Sequence, residues 1–421
     1  MLSSRGIAVA TDQPRGTFEA CGVAHEFVVT GAWPGFDGER LLADTRRICE
    51  TQIAFWHGKR KPRPPFGRYV FLLNAMDDGH GGLEHRASTA LICARRDLPR
   101  AGQPSPSEAY LTLLGLISHE YFHNWNVKRL RPRELTHIDY ARENYSTLLW
   151  FFEGFTSYYD DLLLLRAGLI DAPRYLSLIA KAVNGVATTP GRRVQSVAES
   201  SFDAWVKYYR SDENTPNATV SYYAKGSLVA LAFDLTLRRE GRATLDDVMR
   251  HLWRVSRGGA IDERDIAEAL RKVGGRAFTK ELADWVHGIG ELPLSTLFEA
   301  TGLAQRPSPA AFAAALGLRL SEGALSGVQV KSVLAGSAAA RAGVSAGDEV
   351  LAVDGWRIRR LDDAQRWLKS GQSFELLLVR DQRMLVLRVQ PDAVAQRSVT
   401  LALADKASPA AAALRRGWLG T

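Results

Sequence analysis

The sequence Leu-Ile-Ser-His119-Glu120-Tyr-Phe-His123-Asn-Trp contains two histidines four positions apart and a glutamate beside the first. Residues four apart on a helix differ by only about 40° in direction, so His119 and His123 would project side by side and could both ligate one zinc ion. Glu120 points along the adjacent face, where it could take a proton from a water molecule on that zinc. The spacing predicts a hydrolytic zinc site with Glu120 as its general base.

The third zinc ligand is predicted to be Glu153. A catalytic zinc site uses three protein ligands and keeps one position open. Glu153 lies in the run Trp150-Phe-Phe-Glu153-Gly-Phe-Thr-Ser-Tyr-Tyr. A lone carboxylate in such an aromatic run is costly to bury unless a cation compensates its charge, and a metal ion is the natural compensation.

Each of these residues also has an interpretation without a metal. The short histidine motif arises by chance in unrelated proteins, and two core histidines could each be satisfied by a hydrogen-bond partner. Glu153 could be a helix cap or a surface residue. The spacing alone leaves these alternatives open.

The longer strings around these residues resemble a known peptidase family. The two histidines followed by Trp-x-x-Glu-Gly-Phe resemble the gluzincins, and the strings Ser118 to Lys128 and Trp150 to Tyr159 are similar to the glycyl aminopeptidase family within them. The resemblance runs from about residue 17 to residue 392. It implies an α+β, thermolysin-like catalytic domain with a small mixed sheet and a mainly helical lobe, a Zn²⁺ cofactor and peptide substrates.

Two further motifs extend the resemblance to the substrate site. Gly81-Gly82-Leu-Glu84 resembles the segment that, in related aminopeptidases, places a glutamate on the free α-amine of the substrate. Tyr222-Tyr223-Ala-Lys-Gly resembles the motif whose tyrosine hydroxyl stabilises the tetrahedral intermediate. The resemblance therefore implies that Glu84, Gly81 and Gly82 bind substrate, that Tyr223 is catalytic, and that N-terminal glycine or alanine is removed. A turn glutamate without a ligand is the alternative for Glu84.

The C-terminal third resembles a PDZ domain. The strings Val333 to Gly343 and Ala346 to Gly355 are very similar to bacterial PDZ domains, which this family carries at the same place. The predicted domains are residues 1–35, a remnant of an N-terminal β-domain that is otherwise missing; 36–304, the zinc peptidase; 308–392, the PDZ domain; and 393–421, a tail without an assigned role. The PDZ domain could bind a peptide ligand by strand addition.

The elements that must position these residues follow from apolar periodicity. Residues 17 to 99 mix short β-type runs with one helical stretch, Glu39 to Trp56, which predicts a small mixed sheet with a helix packed on it. Residues 107 to 300 are almost wholly helical, with Thr244 and Asp262 as helix caps. Arg306–Ala310 carries two prolines and predicts a linker, after which short β-type runs and one helix, Leu361 to Leu368, predict a β-rich module.

Composition and charge exclude several classes of function. The chain has 421 residues and a net charge of +8, but its basic stretches, Lys59–Arg63 and Lys128–Arg133, are short and favour solvated loops over nucleic-acid binding. Its three cysteines have no metal-type spacing and favour a reducing compartment. The sequence has no apolar run long enough for a membrane span and no signal-peptide layout, so it predicts a cytoplasmic protein. An export signal could belong to the missing N-terminal domain.

Two other functions compete with the aminopeptidase. One is a PDZ-containing peptide-binding protein whose zinc domain is inactive. The retention of Glu120 and Tyr223 argues against it, and a structural zinc site would more often close all four positions with Cys or His. The other is a zinc hydrolase of non-peptide substrates, which would use the same residues.

Overall fold

A computed structural model of the chain describes residues 15–58, 62–323, 326–369, 371–392 and 397–420. Residues 1–14 of the predicted N-terminal remnant lie outside the described residues, as do 59–61 of the first basic stretch and 393–396 and 421 of the predicted tail. None of the helices in the described part has the length and apolar composition that a bilayer span requires.

The N-terminal part is a mixed sheet with one helix packed against it, as predicted. The sheet contains β1 (Arg15–Ala20), β2 (Val23–Thr30), β3 (Arg68–Met76), β4 (His80–Glu84) and β5 (Ser88–Ala94), and the helix is α1 (Gly38–His57). The strand order is β1-β2-β3-β5-β4, with β2, β3 and β5 parallel and the outer strands antiparallel to their neighbours. Asp37 caps α1 by accepting a hydrogen bond from the Arg40 backbone N–H. Strand β4 therefore forms one edge of the described sheet.

The next part is a helical lobe that carries the histidine motif on its first long helix. Its α-helices and strands, with one π-helical turn, are in chain order α2 (Glu108–Phe122), β6 (Arg131–Pro132), α3 (Leu149–Phe152), α4 (Gly154–Arg166), α5 (Ala172–Ala187), α6 (Val197–Phe202), α7 (Thr215–Ala218), α8 (Ala224–Glu240), α9 (Leu245–Ser256), β7 (Ala260–Ile261), α10 (Glu263–Gly274), α11 (Thr279–Glu281), the π-helical turn (Leu282–His287) and α12 (Leu294–Ala300); 3-10 helices cover Arg133–Thr136, Pro190–Arg193 and Asp203–Trp205. The predicted caps are confirmed, because the Thr244 and Asp262 side chains accept backbone hydrogen bonds at the starts of α9 and α10.

A β-rich PDZ module with its own core follows. The chain passes through β8 (Leu303–Pro309), α13 (Phe312–Ala315), β9 (Leu318–Gly323), β10 (Gly327–Val333), α14 (Ala338–Ala342), β11 (Glu349–Val353), β12 (Trp356–Arg357), a 3-10 helix (Leu361–Arg366), β13 (Phe374–Arg380) and β14 (Arg383–Val389). The module's sheet has the order β14-β13-β11-β10-β9, and its core includes Val328, Val330, Leu376 and Leu378. The predicted helix from Leu361 is thus a shorter 3-10 helix.

The chain then returns to the peptidase. Strand β15 (Arg397–Leu403) pairs antiparallel with β8, from Arg397 opposite Pro309 to Leu403 opposite Leu303. A strand therefore occupies most of the segment that its two prolines predicted as a linker. Helix α15 (Pro409–Leu419) places Trp418 and Leu419 in the apolar core shared with the helical lobe. The PDZ module is thus inserted between two strands that belong to the peptidase.

Candidate active site

The three predicted zinc ligands lie together beside a cleft that His119 lines. His119 is in the last turn of α2, His123 ends that helix, and Glu153 lies at the junction of α3 and α4. Glu153 Oε2 is 3.3 Å from His119 Nε2 and 3.2 Å from His123 Nε2. Ligand atoms of all three residues lie within 4.8 Å of one another. This donor set, two imidazole nitrogens and one carboxylate, matches the three-ligand catalytic zinc site.

Both histidines are oriented by hydrogen bonds on their other ring nitrogen. His119 Nδ1 is 2.9 Å from Asp160 Oδ2, and His123 Nδ1 is 2.7 Å from the Asn126 carbonyl oxygen. An Nδ1 that donates in this way would leave the Nε2 lone pair free to bind a metal ion. Asp160 was not identified from the sequence, although it lies seven residues, two helical turns, after Glu153 on the same face of α4.

The charges of the cluster balance one another. Burial alone would lower the pKa of His119, but its hydrogen bonds to Asp160 and Glu153 raise that pKa well above its usual range. Burial alone would raise the pKa of Glu153, but the positive charge of His123 and the hydrogen bonds from both histidines hold it well below its usual range. A cation at this position is therefore already favoured by the surrounding carboxylates.

Two close helix contacts fix the cluster. Gly154 follows the ligand Glu153, and a Cβ added to it would lie 2.6 Å from Gly226 Cα on α8; a Cβ on Gly226 would lie 2.7 Å from the Trp150 carbonyl oxygen. Helices α4 and α8 thus cross at a distance that only glycine allows. On α2, the Gln52 side-chain amide donates to the Ser118 carbonyl at 2.8 Å and holds that helix against α1.

Glu120 lies on the cleft side of α2 beneath strand β4. Its side chain is buried, and burial raises its pKa to about 6 despite the opposing charges of the two histidines. Gly82 of β4 lies directly over it, since a Cβ at that position would stand 2.5 Å from Glu120 Cγ and closer still to the carboxylate. A carboxylate with this pKa is a suitable general base near neutral pH.

Glu84 ends β4 beside this group. One oxygen of Glu84 lies within 4.8 Å of the Glu120 carboxylate and of a His123 ring nitrogen. Its Oε1 is 2.7 Å from the ammonium nitrogen of Lys128, a residue for which the sequence predicted no role in the site. Gly81 and Gly82 line the cleft ahead of it. The Gly-Gly-Leu-Glu string is therefore an edge strand rather than a turn.

Tyrosines line the same cleft as β4. The Tyr223 ring centroid is 6.2 Å from that of His119 and 5.5 Å from that of Tyr208. Tyr222 is instead fully buried, with its hydroxyl 3.5 Å from that of Tyr209. Burial and the negative charge of Glu153 raise the pKa of Tyr223 far above its usual range, so its hydroxyl remains a proton donor. Of the two neighbours, Tyr223 is the one that lines the cleft. Tyr208 and Tyr209 line it too, and no sequence motif indicated them.

The cleft has a volume of about 900 Å³ and extends well past the metal cluster. From Gly82 and Glu120 it passes Gly81 and His80 and continues between α2, α4 and α5 to Asp161, Arg174 and Lys181. A second cavity of about 550 Å³, bordered by Gln195 and His287, contains none of the candidate site residues. The first cleft therefore provides room for a peptide of several residues.

The chain is similar to known peptidases. Residues 112–229 match the M61 glycyl aminopeptidase profile, and residues 329–380 match a PDZ domain profile. An aminopeptidase N family protein from Idiomarina loihiensis is 34% identical with a TM-score of 0.89, over 97% of this chain and 70% of that one. An M1 zinc metallopeptidase from Deinococcus radiodurans is 17% identical with a TM-score of 0.44, over 67% of this chain and 53% of that one. A search of curated protein sequences gives no match.

Proposed function

The chain belongs to the M61 glycyl aminopeptidase family, and from its site we propose that this zinc aminopeptidase removes glycine or alanine from the N-termini of peptides. The observation that carries the proposal is the convergence of His119, His123 and Glu153 at one point, with Glu120 beside them under β4. The preference for small residues is carried by the family resemblance. We propose the following role for each side chain of the site.

Zinc held by His119, His123 and Glu153 would supply a Lewis acid for the peptide carbonyl and the attacking water. Glu120 accepts the proton of that water, and with a pKa of about 6 it is ionised and ready to do so at neutral pH. Once protonated, the same carboxyl can donate the proton to the leaving amine. Asp160 keeps the ring of His119 in a single orientation throughout.

Tyr223 donates a hydrogen bond to the negative charge that develops on the carbonyl oxygen. It lines the same cleft as Gly81 and Gly82 of β4, and its raised pKa keeps the hydroxyl protonated. A donor that is fixed before the reaction stabilises the transition state more than the substrate, which is the condition for catalysis. Tyr222, fully buried behind it, cannot take this role.

Strand β4 supplies the alignment of the peptide. It is an edge strand of the described sheet, so its outer backbone groups can pair with an extended substrate. With the substrate's α-ammonium on Glu84, the peptide would run antiparallel to β4, past Gly82 and His80 and into the rest of the cleft. An anion at the end of the strand makes a free amine the preferred terminus, since an ammonium in a water-poor cleft needs an anionic partner.

The PDZ module offers a second peptide site. Strand β9 is an edge of its described sheet, and the preceding loop at Leu316–Leu318 has the place of the loop that holds a terminal carboxylate. Asn217 of α7 joins this module to the peptidase, donating to the Val333 carbonyl at 2.9 Å and accepting from the Ala335 N–H at 2.8 Å. We therefore propose peptide binding along β9 as a function separate from catalysis.

The test combines metal analysis with hydrolysis of glycyl and alanyl amides. His123→Ala should lose both zinc and activity, whereas Glu120→Gln should keep zinc and lose most turnover, because an amide cannot accept the proton. Glu84→Ala should reduce the difference in kcat/KM between free and N-acetylated peptides. Full zinc occupancy in His123→Ala would refute the ligand assignment. Equal cleavage of acetylated and free peptides by the unmodified protein would refute the aminopeptidase specificity alone.

A further inference from the structure

The Glu84 carboxylate already has a cationic partner. Lys128 Nζ lies 2.7 Å from Glu84 Oε1, and the two side chains are 20% and 18% exposed. Lys128 is held firmly relative to the metal cluster, because its backbone N–H donates to the His123 carbonyl oxygen at 2.9 Å. An ammonium group therefore occupies one oxygen of the residue proposed to receive the substrate's own ammonium.

The two ammonium groups can bind the same carboxylate only on different sides. An ionised carboxylate offers two oxygens and about four lone-pair positions. Lys128 uses one of these positions. Glu84 also lies within 4.8 Å of Glu120 and His123, and a substrate bound at the cluster would use the face of Glu84 that is nearest to them. The α-ammonium of a substrate at that face would then lie about 5 Å from Lys128, on the opposite side of one carboxylate.

We propose that Lys128 shares Glu84 with the α-ammonium of the substrate and thereby limits how tightly the cleft holds an amine. The inference rests on the proposed role of Glu84 as the amine anchor. Repulsion between two like charges this close weakens the binding of the free-amine peptide and of the released amino acid alike. Lys128 is thus a specificity-determining residue that keeps amine binding weak enough for product to leave.

The size of the effect follows from distance and exposure. Two charges about 5 Å apart in a partly buried site interact strongly, and the one-fifth exposure of both side chains reduces that interaction by solvent screening. We expect removal of the Lys128 charge to tighten amine binding by about tenfold. A neutral, acetylated N-terminus should feel no such change.

The experiment compares Lys128→Met with Glu84→Gln on a matched pair of peptides, Gly-Ala-Ala and its N-acetylated form. Lys128→Met should lower KM for the free peptide by about tenfold and so increase the ratio of kcat/KM for the free peptide to that for the acetylated one. Glu84→Gln should decrease that ratio. Lys128→Arg, which keeps the charge, should show a much smaller decrease in KM. In a Glu120→Gln background, calorimetry of the intact zinc protein should show the same tenfold decrease in Kd for the free peptide upon Lys128→Met. Lys280→Met is the matched surface control, because Lys280 is exposed, pairs with a carboxylate of its own, Asp284, and does not line the cleft.

The outcomes separate this inference from the proposed function. One contrary result is that Glu84→Gln reduces the preference for the free over the acetylated peptide while Lys128→Met raises KM for the free peptide. In that case the lysine only holds Glu84 in place, and the inference is overturned while the role of Glu84 as amine anchor stands. An unchanged KM in Lys128→Met overturns it equally. If Glu84→Gln leaves the preference unchanged, the anchor itself fails, and the inference fails with it.

Discussion

Adding one methyl group to β4 should displace the general base without replacing any catalytic residue. In Gly82→Ala the new Cβ would stand 2.5 Å from Glu120 Cγ, and nearer to the carboxylate. Carbon atoms pack at roughly 3.5–4.0 Å, so the Glu120 side chain must move by about 1 Å. Gly82 has no positive φ, and alanine is therefore compatible with the strand backbone. The substitution should move the Glu120 side chain and leave the fold unchanged.

A displacement of about 1 Å in a catalytic group costs on the order of 10²-fold in turnover, or about 3 kcal/mol of transition-state stabilisation. The assay is kcat on a glycyl amide, with zinc content and the urea midpoint measured on the same preparation. Zinc content and the midpoint should match those of the unmodified protein.

Gly81→Ala is the matched control. It lies one position earlier on the same strand, lines the same cleft, and a Cβ there meets no described atom within 4 Å. Its kcat should fall by far less than that of Gly82→Ala. A Gly82→Ala protein with unchanged kcat, or equal losses in the two variants, would refute the placement of Glu120 directly beneath β4.

Three further predictions concern other parts of the chain. Tyr223→Phe should lower kcat by on the order of 10²–10³-fold with little change in KM, whereas Tyr222→Phe should not, because only Tyr223 lines the cleft. Burial lowers the pKa of His25 from 6.5 to about 4, with its Val23 hydrogen bond opposing, so the folded protein binds fewer protons than the unfolded chain between these values. The free energy of unfolding should therefore be unaffected by His25 above pH 6.5. It should fall by about 3 kcal/mol as the pH is lowered to 4, because protonation of His25 favours the unfolded chain. His25→Gln should flatten that dependence. Replacing residues 310–396 with a short turn joining Pro309 to Arg397 should leave hydrolysis of small amides intact, because these two residues face each other across β8 and β15.

Each of these has a contrary result. Kinetics in which Tyr222→Phe shows the larger loss of kcat would reverse the choice between the tyrosines. If the urea midpoint falls equally in the unmodified protein and in His25→Gln as the pH is lowered, groups other than His25 cause the loss of stability in acid. A chain lacking 310–396 that fails to fold would show that the PDZ module supports the peptidase structurally. Truncation after Arg306 is expected to fail, because it removes Trp418 and Leu419 from the core.

The sequence predicted the parts of the site that depend on local spacing. His119 and His123 are brought together by a single helix, and the aromatic run around Glu153 indicated a buried carboxylate in need of a cation. The catalytic roles assigned to these side chains stay predictions. Asp160 and Lys128 were not assigned roles, because an aspartate two turns along a helix and a lysine in a basic stretch look like ordinary surface residues until the fold places partners beside them.

Pairing between distant segments could not be predicted in the same way. Strand β4 contains two glycines, which favour turns locally, and only its hydrogen bonds to β5 make it a strand. Strand β8 contains prolines, which are tolerated at a sheet edge but argue against a strand when read alone. Its partner β15 lies almost a hundred residues later, and no local pattern connects the two.

The peptidase core cannot close until the chain has passed through the PDZ module. Trp418 Nε1 donates to the Tyr158 hydroxyl at 3.1 Å, and Arg238 donates to the Gly417 carbonyl at 2.6 Å. Helix α15 therefore packs on residues that lie about 180 to 260 positions before it in the sequence. At roughly 5–20 residues per second, synthesis of the intervening module alone delays this closure by on the order of 5–20 s. The PDZ module has its own core and contacts that are closer in sequence, so it should fold first. On a ribosome the order of assembly is then inverted, with the inserted domain complete while its host still exposes the apolar surface that α15 will cover.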